Sequence, residues 1–541
     1  MSPPTPHSYH IFLFPFRWHK EKCEKIPSNK EMREFEDNLK SIGWKPSNYT
    51  KFKSSQDYNE YQYFYPFVRD VLYDFGDDNE HLIRHLTYDV GYFSKYLIFL
   101  NPKLIEKNNS LKKKYSLDID SIDINLYSTG VGILSFHLSN NYKENDKQDI
   151  LAINQFGRRI YPPFLGENGI KSTKEAELAE NIDIYINGKV WVKGNILEIY
   201  ATHNTASQII NKECVISKNI TKFLISDNYK FKISPLLDDR MYVISWIGAK
   251  DNLMASLTKP NDNYYSFIED NFWSKYVFVD VNEQTIWNQK MRKQMLEKQT
   301  YARWVEYKFT NPKDSKSSPS PTLYGISRYS FVALSSKDCT FPLIHTRTMY
   351  YKMVELCLVQ RASVMNFSWV ISDISKELNE KKDFNRTDIK NKIEHLYRNY
   401  IRFINKMYFR EVTAQEQGIE LYDMFQDIMK IEGQVKDLDN EINELHQFGT
   451  MIVQENQANE TMSLTKVATF FLPAGLIVAL LALPKIETWK LWKWDCNLVK
   501  PFFVALAFIL IASMAFYWLI RLVFFCCKKL NNIINRLKND Q

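Results

Sequence analysis

The chain lacks the residue patterns that mark stapled domains, nucleic-acid tracks and the commoner catalytic centres. Its seven cysteines (Cys23, Cys214, Cys339, Cys357, Cys496, Cys526, Cys527) are scattered, with no CxxC pair and no zinc spacing. That excludes a disulfide framework and a zinc ribbon, and it suits a reducing compartment. There is no long basic run, and a net charge of +7 is modest for 541 residues. The densest basic cluster of the body, LKKKY at 111–115, reads as a solvated face, so no nucleic-acid partner is expected. GxGxxG, HExxH and the nucleophile elbow are all missing, and the ten histidines show no ligand spacing. The chain therefore does not read as an enzyme, and no catalytic residue, metal ligand or cofactor is expected. GENGIKST at 166–173 misplaces the second glycine of a phosphate loop and follows PPFL instead of a strand. Asp118, Asp120 and Asp123 lack the glycine and glutamate of a calcium loop. HIFLFPF at 10–16 is too short for a signal peptide and contains a proline.

Proline is also missing between Pro342 and Pro473, and strand signals stop there too. Residues 1–345 read as a mixed α/β body. Its strands are expected at 9–16, 92–100, 124–138, 182–192, 240–247, 276–281, 302–309 and 323–334, in runs rich in Tyr, Phe, Val and Ile. A Ser/Pro stretch at 313–322 reads as an exposed insertion. Residues 346–463 read as a helical hairpin and coiled stalk, with helices at 346–380 and 388–409 and a third running from Thr413 without a visible end. The apolar positions Leu421, Met424, Ile428, Ile431, Val435, Leu438, Ile442 and Leu445 alternate three and four apart, with charges between them. That pattern suits a self-associating stalk or an antiparallel hairpin packed within one chain.

Long apolar runs occur only near the end. Residues 467–483 carry no charge, and a second apolar run follows a short loop rich in Trp and Lys. A helix needs about 20 apolar residues to cross a bilayer. Transmembrane helices are therefore expected at 464–484 and 501–525, with an external loop at 485–500 and a tail at 526–541. The expected class is an α+β cytoplasmic body, a long helical stalk and two C-terminal transmembrane helices. Its expected location is the bacterial inner membrane, multi-pass, with both termini cytoplasmic. One helical stripe carries Leu464, Ala468, Leu472, Gly475, Ala479 and Ala482, which suits a pore lining that gates by dewetting or close helix packing. Asn456 and Asn459 lie just before it and could wet the entrance.

The wording of this segment is NETM at 459–462, LT at 464–465, AT at 468–469 and FLP at 471–473. With the layout, it resembles the CorA family of two-span cation channels. The resemblance implies a homopentamer in a lipid bilayer with a ligand-sensing body. Where that family ends its first span in glycine, methionine and asparagine, this chain has Ala482, Leu483 and Pro484, and its loop has no acidic cluster. A divalent metal cation transporter (Mg, Co, Ni or Zn) with a degenerate filter is thus the alternative reading. The texture is closer to a divergent branch, the CorA-like membrane effectors of type III CRISPR antiviral systems. That likeness implies a ligand-gated ion channel opened by a second messenger that conjugates S-adenosylmethionine with AMP (SAM-AMP).

A nucleotide-type anion asks for forked arginine donors, aromatic faces and polar strand ends. FGRRIY offers Arg158 and Arg159 with Tyr161, DDRMY offers Asp238, Asp239 and Arg240, and YGISRY offers Arg328 and Tyr329. Each is equally readable as a structural ion pair or a surface arginine.

Overall fold

The computed structural model describes residues 5–20, 25–47, 54–73, 81–141, 147–160, 178–195, 216–225, 231–259, 265–281, 288–303, 321–380, 386–481, 507 and 511. The chain divides into two units, Met1–Gly449 and Thr450–Gln541.

The first unit is built on one strand-rich sheet. Its strands are β1 (Ser8–Lys20), β2 (Trp44–Pro46), β3 (Ile83–Tyr88), β4 (Lys95–Leu100), β5 (Lys114–Tyr127), β6 (Val131–Asn140) and β7 (Ala179–Ile186). They continue with β8 (Lys189–Asn195), β9 (Phe231–Pro235), β10 (Tyr242–Ala249), β11 (Thr300–Arg303), β12 (Thr322–Ile326) and β13 (Ser330–Ser336). The order across the sheet is β11-β12-β13-β10-β1-β6-β5-β4-β7-β8, with β3 also on β5 and β9 on the end of β1. Pairing is antiparallel except between β10 and β13. The helices are α1 (Asn29–Ser41), α2 (Ser55–Tyr63), α3 (Pro66–Leu72), α4 (Pro102–Lys107), α5 (Lys147–Gly157), α6 (Lys218–Leu224) and α7 (Asp251–Leu257). After them come α8 (Asn271–Phe278), α9 (Gln289–Gln299), α10 (Phe341–Arg347), α11 (Met349–Glu380), α12 (Arg386–Lys406), α13 (Glu416–Met429) and α14 (Ile431–Leu481).

β1 explains why the sheet carries helices on both faces. Phe12, Phe14, Phe16 and Trp18 enter one core, while Tyr9, Ile11 and Leu13 enter the other. A strand buried on both faces reads as a continuous apolar run, as SYHIFLFPF does. Pro15 has no N–H to give, and it falls where β1 leaves β10 at Leu13 and takes up β9 at Phe16.

Three of the expected strands are hairpins: 124–138 spans β5 and β6, 182–192 spans β7 and β8, and 323–334 spans β12 and β13. The expected strand at 276–281 is instead the end of helix α8. Asp270 caps that helix by accepting from the Trp273 N–H at 2.8 Å, and Trp273, Tyr276 and Val277 bury at helical spacing. Of 302–309, only the start lies in a described strand, β11, and the Ser/Pro insertion falls almost wholly outside the described residues.

The long third helix is broken. Lys430 adopts φ 54° and ψ 42°, ending α13, and α14 starts anew at Ile431. Leu421, Ile431, Val435, Leu438 and Ile442 bury in the core that α11 and α12 share. Tyr400 Oη donates to Asp439 at 3.0 Å, and the Tyr397 and His446 rings stack 4.1 Å apart. The heptad face thus packs within the chain as a hairpin.

In the second unit, among the described residues, no helix is long and apolar enough to cross a membrane. This corrects the expected pair of C-terminal transmembrane helices and the multi-pass inner-membrane location. Lys466 interrupts the run, and α14 is described only to Leu481. The uncharged part, 467–481, covers about 22 Å against a hydrocarbon core of about 30 Å. The loop at 485–500, and the span and tail at 501–541 apart from residues 507 and 511, lie outside the described residues.

Candidate functional site

The three arginine clusters expected separately converge on one place in the first unit. Helix α5 ends at Gly157, where an added Cβ would sit 2.8 Å from Ile98 Cδ1 and 2.9 Å from Phe12 Cε2. Only glycine lets the chain leave so close to the sheet. Arg159 then bridges Arg240 in antiparallel fashion. The Met241 N–H donates to Arg158 O at 2.8 Å and the Ile160 N–H to Asp239 O at 3.1 Å. The parallel pairing of β10 with β13 sets the β12–β13 turn beside the same strand mouth, and the Val243 N–H donates to Tyr329 O at 3.0 Å.

The side chains follow from this backbone. Arg159 pairs with Asp239. Arg240 Nη2 lies 2.8 Å from Asp238 Oδ2, its Nε lies 3.5 Å from Asp239 Oδ1, and its guanidinium sits over the Tyr329 ring at 4.8 Å. Arg328 Nε donates to Ile428 O in α13 at 3.2 Å, joining the turn to the helices. Arg158 is 1% exposed. Its Nη2 donates to Val279 O at 3.1 Å and to Gln155 Oε1 at 3.4 Å, but its Nε and Nη1 are buried with no partner among the described residues. Arg159 Nε and Arg361 Nε are orphaned in the same way.

Among the described residues, three guanidiniums (Arg158, Arg159, Arg240) face two carboxylates (Asp238, Asp239). Burial, with Arg240 and Arg159 alongside, pulls Arg158 down to about 9. Burial also lowers Arg361, with Arg328 adding to it. Burial and a hydrogen bond shared with Asp238 push Asp239 up to about 6. Burial acts upward on Asp238 as well, but bonds from Asp239 and Arg240 outweigh it and hold this carboxyl low. Asp239 is therefore the first of the pair to take up a proton as pH falls. An anion with several acceptor oxygens is the species this arrangement favours.

Tyr161 lies outside the described residues. The pore-lining candidates form no described enclosure. Asn459, Leu464, Ala468, Leu472 and Gly475 are exposed along α14, Asn456 and Ala479 belong to the same helix, and Ala482 lies outside the described residues. Among the described residues, no group of three His, Cys, Asp or Glu side chains could hold a metal ion. Sequence reasoning missed Arg361, whose signal was a lone cation in the mostly apolar run LCLVQRASVM. No protein-family model matches the chain, and no curated protein matches it.

Proposed function

We propose that the chain is a ligand-sensing effector whose body takes a nucleotide-type anion at the Arg158–Arg159–Arg240 group. The observation that carries this reading is the fully buried Arg158, with two N–H positions that no described residue satisfies. A buried unpaired cation is costly, and a phosphate group would relieve it with charge-assisted bonds. Tyr329 and Arg240 are more exposed and offer a stacking face and a fork. Occupancy would pull on the turn held by Arg328, and Arg328 is bonded to the last turn of α13. The helices are thus the output. Membrane opening is set aside, because the expected spans are not among the described helices.

The resemblance to CorA-like effectors supplies the ligand class to try first, the SAM-AMP conjugate, alongside AMP and ATP. Differential scanning fluorimetry of the full chain should show a rise in Tm of several degrees with one of them. Arg159→Ala and Arg240→Ala should abolish that rise while leaving the circular dichroism spectrum unchanged. A wild-type chain indifferent to all three would sink the reading.

A further inference from the structure

Helix α10 joins the last strand of the sheet to α11, and two histidines take part in its docking. At its end, Arg347 lies over the Tyr9 ring of β1 at 4.7 Å, and its Nη2 donates to Asp120 of β5 at 3.4 Å. Asp120 sits in a bulge between Ile119 and Ser121 and also accepts from Ser139 Oγ at 2.6 Å. His137 of β6 adjoins this anchor and is buried. Its Nδ1 lies 3.5 Å from Tyr9 Oη, and its Nε2 lies 3.8 Å from Asp123 Oδ2, too far for a hydrogen bond. That Nε2 has no partner among the described residues. The Tyr351 ring of α11 stands edge-on to His137 at 4.8 Å. The second histidine, His345, belongs to α10 itself. Its ring packs 4.0 Å from Phe341 and 5.3 Å from Tyr350, with Tyr63 of α2 at 6.4 Å.

We propose that α10 is a proton-released latch, docked while His137 and His345 are neutral and freed from Tyr9 and Asp120 when they take up protons. The charged and titratable groups facing His137 are Tyr9, Asp120, Asp123, Arg347, Tyr351 and Lys352. Those facing His345 are Tyr63, Tyr350 and Arg303. Burial lowers both rings from an ordinary 6.5, His345 to about 4. Arg347 and Lys352 add to this at His137, and Arg303 adds to it at His345. Asp123 and Asp120 act the other way on His137 without offsetting its burial. Docked α10 therefore binds fewer protons than released α10, since release wets His345 and takes the Arg347 cation away from His137. The latch is whole above 6.5 and opens more easily as pH falls below it, by up to about tenfold per pH unit for each histidine. The proposal does not rest on the arginine group.

Hydrogen–deuterium exchange of the full chain from about pH 7 to 5, corrected for the intrinsic pH dependence of exchange, tests it. Amides of 341–351 should lose protection by about tenfold or more across that range. His137→Gln/His345→Gln should remove most of the loss, and each single variant should remove part of it. His10→Gln, on the opposite face of β1, should leave the loss in place. Arg347→Gln, at an exposed position, should speed exchange of 341–351 already at neutral pH. Protection of 341–351 that ignores pH, or a loss kept in full by the double variant or removed by His10→Gln, would overturn the proposal. So would Arg347→Gln exchanging like the wild type at neutral pH, an arm that stands even where the double variant does not fold.

Discussion

Arg158 tests at residue scale whether a buried charge is kept for stability or for binding. Replacing a buried, under-satisfied ion with an apolar residue of similar volume is often neutral or stabilising. Arg158→Met should therefore raise apo stability by about 1 kcal/mol in urea unfolding, while the anion-induced rise in Tm disappears. Loss of stability would mark Arg158 as structural. The histidines make a second residue-scale case. Burial drives His10 and His85 down to about 4 from an ordinary 6.5, despite the bond from His10 to Asn154 and the charge of Glu355 near His85. Their folded pKa lies below the unfolded one, so between about 4 and 6.5 the unfolded chain binds more protons. Stability is whole above that window and is lost as pH falls through it, by up to roughly 3 kcal/mol per fully buried ring. Asp239, raised to about 6, works in the opposite sense but as one coupled carboxyl. Urea midpoints measured from pH 7.5 to 4.5 should fall, and His10→Gln should lower stability at neutral pH while flattening the slope.

The α13–α14 break is the clearest test at the scale of elements. Lys430 holds a left-handed backbone, with its N–H on Asp427 O at 3.1 Å. A side chain there costs about 1 kcal/mol that glycine would not. Lys430→Gly should raise Tm, and Lys430→Val should lower it by more. A helix that ran straight through would show the reverse order. Sequence periodicity placed the helices of this half well, because their apolar faces bury against one shared core. It missed the break at Lys430, since nothing marks a lysine as left-handed. At 276–281, β-branched and aromatic residues suggested a strand, yet the Asp270 cap and the buried Trp273–Tyr276–Val277 face made a helix. Packing outweighed propensity there.

For the whole molecule, the join between sheet and helices turns on a buried ion pair. Lys352 and Glu355 of α11 are both buried, and Lys352 Nζ lies 3.1 Å from Glu355 Oε2. Asn125 of β5 donates to Glu355, and His85 of β3 meets Asn125 at 2.6 Å. Lys352→Met leaves Glu355 buried without its counter-charge, so it should cost about 3–5 kcal/mol, and Lys352→Met/Glu355→Leu together should recover most of it. Chemical denaturation of the two variants checks this, and equal losses in the single and double variants would refute it.

Local chemistry alone determined much of this protein. The change from strand to helix near 345, the hydrophobic strands and the three arginine-bearing motifs were all legible, because pattern and residue type are local properties. Only the tertiary structure decided that Arg159 bridges Arg240, that Arg240 lies over Tyr329, and that Arg158 is buried with N–H groups that no described residue satisfies. Those facts depend on β10 pairing with β13 in parallel and on α5 ending beneath the sheet, contacts between residues far apart in the chain. The apolar run near the end shows the same limit. Its composition suggested a span, but crossing a bilayer depends on the unbroken length of apolar helix, and the uncharged part of the described helix, 467–481, is short of it.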